Sequence, residues 1–292
     1  MPVVTLSRFI YIYIGRLIML NINTNYSAAF AANAAKSSSQ GLNSAMEKLS
    51  TGSRINYAKD DAAGQAISTR LSAEIQGLNM ASRNAADAQS MVDTADGALQ
   101  ETQNVLLRMR ELAVQSANGT LTDADRDHTD AEFQQLEAEI TRISANTKWA
   151  GQALLDGTAS SLSFQVGEGA SQVITVAIAD MAANATGIAL DNDSLQSAAN
   201  AQTAIGALDT AIATVSTERG KLGAVSNRLS STMSNLDQVS VNLSSSQGRI
   251  QDADFAQETG NLAKNQILQQ AATAMIAQAN ASKSSVLALV RG

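Results

Sequence analysis

Proline is absent from this 292-residue chain after Pro2, and cysteine is absent altogether. Proline normally supplies roughly 5% of residues, so about fourteen are missing. Its ring removes a backbone donor and clashes with the preceding helical turn, which costs about 3 kcal/mol or more inside a helix. A chain that excludes it so thoroughly is read as one built of very long helices. The lack of cysteine excludes a disulfide scaffold and any Cys-ligated metal. A single histidine, His128, argues against histidine-based catalysis and against a His-rich metal site. Basic residues are too few for a nucleic-acid binder, since the net charge is -7 and phosphate recognition needs a basic face. Aromatics make up only 3% of the chain although 45% of it is hydrophobic. Ala, Leu and Val therefore carry the apolar content, which favours narrow helix-on-helix seams over a thick globular core.

Long hydrophobic runs are missing too, apart from the first twenty residues. That stretch is apolar and β-branched, but Arg8 and Arg16 interrupt it. Its longest uncharged run, Phe9 to Gly15, is too short to span a bilayer. As a secretory signal it is poor, because no small-x-small cleavage site follows. Met19 is an alternative start.

What is present is helical periodicity. Phe30, Leu42, Met46 and Leu49 mark one helical face over 27–50, and Thr51-Gly52-Ser53 breaks it. A charged connector runs from Arg54 to Asp61. From about Gly64 to Ala117, Ala85, Val92, Leu99, Leu106 and Ala113 recur every seven residues. Ala88, Ala95, Thr102, Met109 and Ser116 complete the stripe three residues later. Alternating steps of three and four make a coiled-coil seam. Asn118-Gly119-Thr120 stops this helix, and Thr122-Asp123 starts another, whose buried face is Phe133, Leu136, Ile140 and Ile143. Asn146 to Gly157 reads as a loop carrying Trp149. The period then changes to two. Leu162, Phe164 and Val166, then Ile174, Val176 and Ile178, flank Gly167-Glu168-Gly169, which predicts a β-hairpin over about 161–179. Residues 181–200 read as loop.

From about Ala201 the heptad returns. Leu208, Val215, Leu222, Leu229, Leu236 and Leu243 repeat without a miss, with Arg219 and Ser226 interrupting the second stripe. After a soft interruption at Gly248, a last helix carries Leu262, Ile267, Leu268, Met275, Ile276, Val286 and Leu289 on more than one face. Such a helix needs partners on several sides, and other copies of the same chain are the natural supply. Two long seams left bare in isolation are most economically paired with each other. The expected fold is mainly α: a long antiparallel coiled-coil helical rod with a small β-hairpin region, its N- and C-terminal helices paired at one end.

Spacings that imitate chemistry have plainer explanations. Asp123, Asp125 and Asp127 follow the one-three-five order of a calcium loop, but His128 stands where its glycine belongs and Gln134 where its glutamate belongs. Helix capping is the better reading. No Lys-Ser/Thr follows Gly167 to Gly169, so that stretch is a turn and not a phosphate cradle. No catalytic pair, cofactor site or metal site is expected, and an enzyme is the least favoured class.

Several runs resemble those of bacterial flagellin. Thr51 to Asn56 and Ala58 to Ile67 are similar to its N-terminal signature, as is Arg108 to Asn118. Leu222 to Arg228, Ile267 to Ala271 and Ala277 to Asn280 are similar to its C-terminal one. With only about forty residues between the halves, the chain resembles the minimal form. The resemblance implies five segments: an atypical extension at 1–18, inner-tube parts at 19–62 and 249–292, and outer-tube parts at 63–200 and 201–248. It implies an extracellular filament subunit for motility, exported unfolded and assembled with copies of itself. It also implies an export chaperone, and cap and hook–filament junction proteins, as partners. Arg108, Glu111, Leu112 and Glu132 match a surface that packs protofilaments and that the vertebrate Toll-like receptor for flagellin reads. The extension is expected to be absent from, or disordered in, a working filament. Two alternatives remain open at this point: a cell-surface homologue acting as a polysaccharide-binding protein or adhesin, and a hook–filament junction protein.

Overall fold

The computed structural model describes residues 24–184, 188–190 and 194–291. Among the described residues are five helices: α1 (Tyr26–Thr51), α2 (Ala62–Ser116), α3 (Asp123–Asn146), α4 (Ala198–Gln251) and α5 (Phe255–Arg291). Between α3 and α4 lie two antiparallel hairpins, β1 (Lys148–Trp149) with β2 (Gln152–Ala153), and β3 (Leu162–Gln165) with β4 (Val173–Val176). The extension at 1–18 lies outside the described residues.

The first three helices each open on a capping side chain. The Asn25 carboxamide accepts from the Ala28 amide at 3.0 Å and opens α1; Gly52, at φ 71°, closes it in the left-handed conformation that glycine tolerates best. Asp61 opens α2 by accepting from the Gly64 amide at 2.8 Å. A Cβ at position 64 would sit 2.5 Å from the Asp61 carboxylate and 2.8 Å from Ile55, so glycine is required there. Thr122 and Asp125 form a reciprocal capping box on α3. The expected Asp-rich N-terminus is thus a cap.

The chain divides into two compact units. One comprises the residues up to Ser68 together with those from Gly248 onward; the other is Thr69–Gln247. In the terminal unit, α1 packs antiparallel on α5. Asn25 donates to the Ala279 carbonyl at 3.1 Å, and Lys48 pairs with Glu258 at 3.3 Å. The buried residues of α1 are small and seven apart: Ala31, Ser38 and Ala45. Small residues let the helices approach closely. The Cα of Gly41 comes so near α5 that a Cβ would stand 2.7 Å from the Asn265 side chain. The two helix breaks of this unit are joined by a short antiparallel bridge, Ser53 with Asp252. The Arg54 amide donates to the Gln251 carbonyl at 2.7 Å and the Ala253 amide to that of Gly52 at 3.0 Å.

In the central unit, α2 and α4 run antiparallel in a constant register. Asn79 bonds Ser240, Ser82 bonds Asp237, Gln103 bonds Ser216 and Arg110 bonds Asp209, so one number falls as the other rises. All ten residues of the α2 heptad stripe, from Ala85 to Ser116, are buried. In α4, Leu208, Val215, Leu222, Leu229 and Leu236 are buried, and Leu243 is half-buried against Leu78 and Leu236. Leu99 and Leu106 join that seam with no exposure. Arg219, which interrupts the α4 stripe, reaches across to Asp96 at 2.8 Å and to Gln103 at 2.8 Å.

Phe133 and Ile140 dock α3 on this core. The β3–β4 hairpin pairs Leu162 with Val176 and Phe164 with Ile174, and Asn84 of α2 holds it by donating to the Gln165 carbonyl at 3.0 Å.

One part of this unit departs from the sequence reading. The stretch 146–157, read as a loop, contains the β1–β2 hairpin. Its two turn residues, Ala150 (φ 50°) and Gly151 (φ 87°), adopt the left-handed pair that matches strand twist. The described residues between 181 and Ala198 form a loop, as read, but one that contributes to the core. Met181, Ile188, Leu190 and Leu195 are buried in the main core. Leu195 is fixed through its backbone: its carbonyl accepts from Ser116 at 2.7 Å, and its amide donates to the buried Asp130 carboxylate at 2.7 Å.

Candidate assembly surfaces

In the terminal unit the ordinary distribution of size is inverted. Small residues face inward and large apolar ones face out. On α1, Tyr26 and Phe30 are each 73% exposed, and Met46 is 53% exposed. On α5, Ile267 is 65% exposed, Met275 58% and Leu268 44%. Leu262 and Ile276 are half-buried, and Ala272 is the buried α5 contact. Val286 and Leu289 lie outside the residues whose side chains are described. Phe30, Ala31, Ala34, Leu268, Ala272 and Met275 together line an apolar groove along the α1–α5 pair. A soluble helix pair normally hides its large side chains and leaves polar ones in water. A contiguous apolar surface of this kind marks an interaction face.

The central unit offers a polar surface. Arg108 of α2 reaches Glu132 of α3 with two donors, Nε at 3.1 Å and Nη2 at 2.9 Å, both to Oε1. Its Nη1 donates to Glu111 Oε2 at 3.0 Å. Donating to Glu132, then to Glu111, raises the guanidinium pKa above its ordinary value. All three side chains are about half exposed or more. This brings together Arg108, Glu111 and Glu132. It does not bring Leu112 with them. Leu112 is 2% exposed and lies in the core beside Met109 and Ala113. Four helical residues advance slightly more than one turn, enough to carry Leu112 off the outer face and onto the seam.

A second feature of the central unit was not foreseen. Arg126, though charged, is 7% exposed. Its guanidinium donates to the carbonyls of Ser116 at 3.0 Å and Asn118 at 3.1 Å, and pairs with Asp123 at 3.0 Å. It closes the carbonyl end of α2, where a helix terminus favours a cation. Nothing in the local sequence marks this, because the groups it serves lie eight and ten positions back. Among the described residues no group of three His, Cys, Asp or Glu side chains is arranged to hold a metal, and no helix is long and apolar enough to cross a membrane.

Residues 22–160 match the bacterial flagellin N-terminal helical region, and residues 205–290 match the bacterial flagellin C-terminal helical region. The chain is 46% identical over 247 residues to a flagellin of Halalkalibacterium halodurans, covering 85% of this chain and 91% of that protein. It is 40% identical over 284 residues to the flagellar filament 33 kDa core protein of Treponema phagedenis, covering 92% and 99%. Its fold is also similar to a putative flagellar hook-associated protein from Vibrio parahaemolyticus. That likeness has a TM-score of 0.57 at 16% identity, over 66% of this chain and 100% of the other, and it concerns the fold alone.

Proposed function

The chain belongs to the bacterial flagellin family, and from that premise we infer that its inverted terminal helices are the surface through which it polymerises. It is a structural subunit of the flagellar filament and not an enzyme. The observation that carries this reading is the exposure of Phe30, Ile267, Leu268 and Met275 on helices whose fully buried contact residues are small: Ala31, Ser38 and Ala45 on α1 and Ala272 on α5. Those side chains are covered when copies stack. Burying such a side chain fully is worth about 1.5–3 kcal/mol, so a few of them are enough to drive association. Contacts repeated with a rotation that does not close generate a helical fibre.

Within that fibre the terminal unit forms the inner tube and the central unit the outer tube. The working location is extracellular. The C-terminal helix is the segment on which an export chaperone acts before assembly, and cap and junction proteins meet the same apolar faces at the filament ends. The Arg108–Glu111–Glu132 cluster is the surface offered to neighbouring protofilaments and to a flagellin-reading Toll-like receptor of a host. Electron microscopy of purified material, with mass spectrometry of the subunit N-terminus, tests the central claim. Filaments built of this chain are expected. A stable monomer that never polymerises, at any concentration or in any salt, would overturn the reading. In receptor-reporter cells, Arg108→Ala is expected to weaken activation by monomer, and equal potency with wild type removes that role.

A further inference from the structure

Asn118 and Gly119 form the only Asn-Gly pair in the chain. They lie just beyond the end of α2, outside any helix or strand, and both are exposed. An asparagine side chain is lost when the backbone nitrogen of the following residue attacks its carbonyl carbon. Two things ordinarily prevent this: a side chain on the following residue, and a hydrogen bond that occupies its amide. Gly119 has no side chain, so its backbone can approach closely. Its amide also donates to no protein group among the described residues. Asn104 and Asn227 differ, because each lies inside a long helix whose ladder holds the next amide. The Asn118 side-chain oxygen accepts from the Thr120 amide at 3.3 Å. That donor polarises the carbonyl under attack and faces the negative charge that develops on its oxygen.

The backbone carbonyl of Asn118 is held differently. It accepts from Arg126 Nη2 at 3.1 Å, and Arg126 is 7% exposed. We propose that Asn118–Gly119 is a self-modifying site, and that Arg126 directs the product to isoaspartate. The Gly119 amide gives its proton to solvent base, and its nitrogen bonds to Cγ of Asn118. The Cγ–Nδ2 bond breaks, and ammonia leaves with a proton taken from water. The resulting succinimide keeps both carbonyls. Water then adds to the backbone carbonyl carbon, which the guanidinium polarises, and the bond from that carbon to the Gly119 nitrogen breaks. The main chain now runs through Cβ and Cγ, and the former backbone carbonyl has become a free carboxylate beside Arg126. Overall a water is consumed and an ammonia released. A bare negative charge at the carbonyl end of a helix is unfavourable, so pairing with the guanidinium favours this product over ordinary aspartate, whose carboxylate forms on the Thr120 side.

The test is peptide mapping by mass spectrometry of the full chain after prolonged incubation at mildly alkaline pH, both folded and in denaturant. In the folded chain Asn118 is expected to convert about tenfold faster or more than Asn104 and Asn227, and Gly119→Ala to slow that conversion about tenfold or more. The variant keeps the corner, since a Cβ at position 119 meets nothing within 4 Å and the φ there is not positive. The ratio of isoaspartate to aspartate is expected to be about threefold higher or more in the folded chain than in denaturant, and Arg126→Met to bring it down to the denatured value. The comparison of folded with denatured wild type decides the role of Arg126 even where Arg126→Met fails to fold. An intact Asn118, or conversion no faster than at the two helical asparagines, overturns the site. Equal ratios in the folded and denatured chains overturn the steering by Arg126.

Discussion

Replacing Ile267 and Met275 by alanine removes three heavy atoms from each side chain without touching the helix-pair contact. Burying a CH₂ group is worth about 0.8 kcal/mol, so each truncation forfeits about 2.4 kcal/mol if assembly covers a fully exposed side chain. Ile267 has 65% of its surface left to cover and Met275 has 58%. The corresponding losses are about 1.6 and 1.4 kcal/mol, together about 3 kcal/mol of assembly free energy. At about 1.4 kcal/mol per decade the critical concentration rises on the order of 150-fold. By the same scaling the monomer loses about 1.8 kcal/mol, less than the assembly, and the better helix propensity of alanine offsets part of it. The assay is sedimentation of polymer across a subunit concentration series, with thermal unfolding of the monomer in parallel. A critical concentration within about threefold of wild type would refute the reasoning, because polymerisation would then owe nothing to these side chains.

Core truncation should do the opposite. Leu229→Ala, at a position with no exposure in the α2–α4 seam, is expected to cost about 2–5 kcal/mol of folding stability, seen as a lower thermal midpoint of the monomer. Arg126→Met keeps the aliphatic bulk but leaves the Ser116 and Asn118 carbonyls without their donor. Destabilisation of about 2–4 kcal/mol is expected, and stability equal to wild type would show that water replaces the guanidinium freely. Hydrogen bonds from Thr122, side chain then backbone, hold the Asp125 carboxyl below its ordinary value. A depressed carboxyl stabilises the native state above the unfolded pKa of about 4 and loses that contribution as pH falls through its lower folded value. Amide exchange in the first turn of α3 should therefore accelerate on acidification below about pH 4. Thr122→Ala should show fast exchange already at neutral pH, and a cap-independent profile would count against the box.

The long helices and their partners were legible because they depend on local chemistry and on a repeat. Proline exclusion, a period of seven, the break at Gly52 and the helix start at Thr122 all act within a few residues. The inverted terminal pair was half legible. The excess of apolar faces on the last helix showed in the sequence, but the burial of Ala31, Ser38 and Ala45 in place of Phe30 and Met46 follows from close approach to α5, which local pattern does not encode. The β1–β2 turn was hidden because alanine at φ 50° carries no turn signal of the Asn-Gly kind. The segment holding Leu190 and Leu195 was legible as a loop, but its burial was not, for a related reason. It has no regular period, and its place in the core is fixed by Ser116 and Asp130, dozens of residues away. Leu112 shows the limit of transferring a surface by resemblance. Arg108, Glu111 and Glu132 face out, while Leu112 is buried beside Met109 and Ala113 of the seam.

The Asn25 side chain meets Ala279 and Asn280 across more than 250 positions of sequence. Loop closure over such a distance costs little extra stability, since the penalty grows only with the logarithm of length. It costs time. At a synthesis rate of about 5–20 residues per second, α1 leaves the ribosome roughly 10–50 s before its partner helix exists. Throughout that interval its inner face, Ala31, Ser38 and Ala45, has no helix to pack on. The terminal unit therefore cannot be completed until α5 has been synthesised, and the later helix decides when the earlier one can settle.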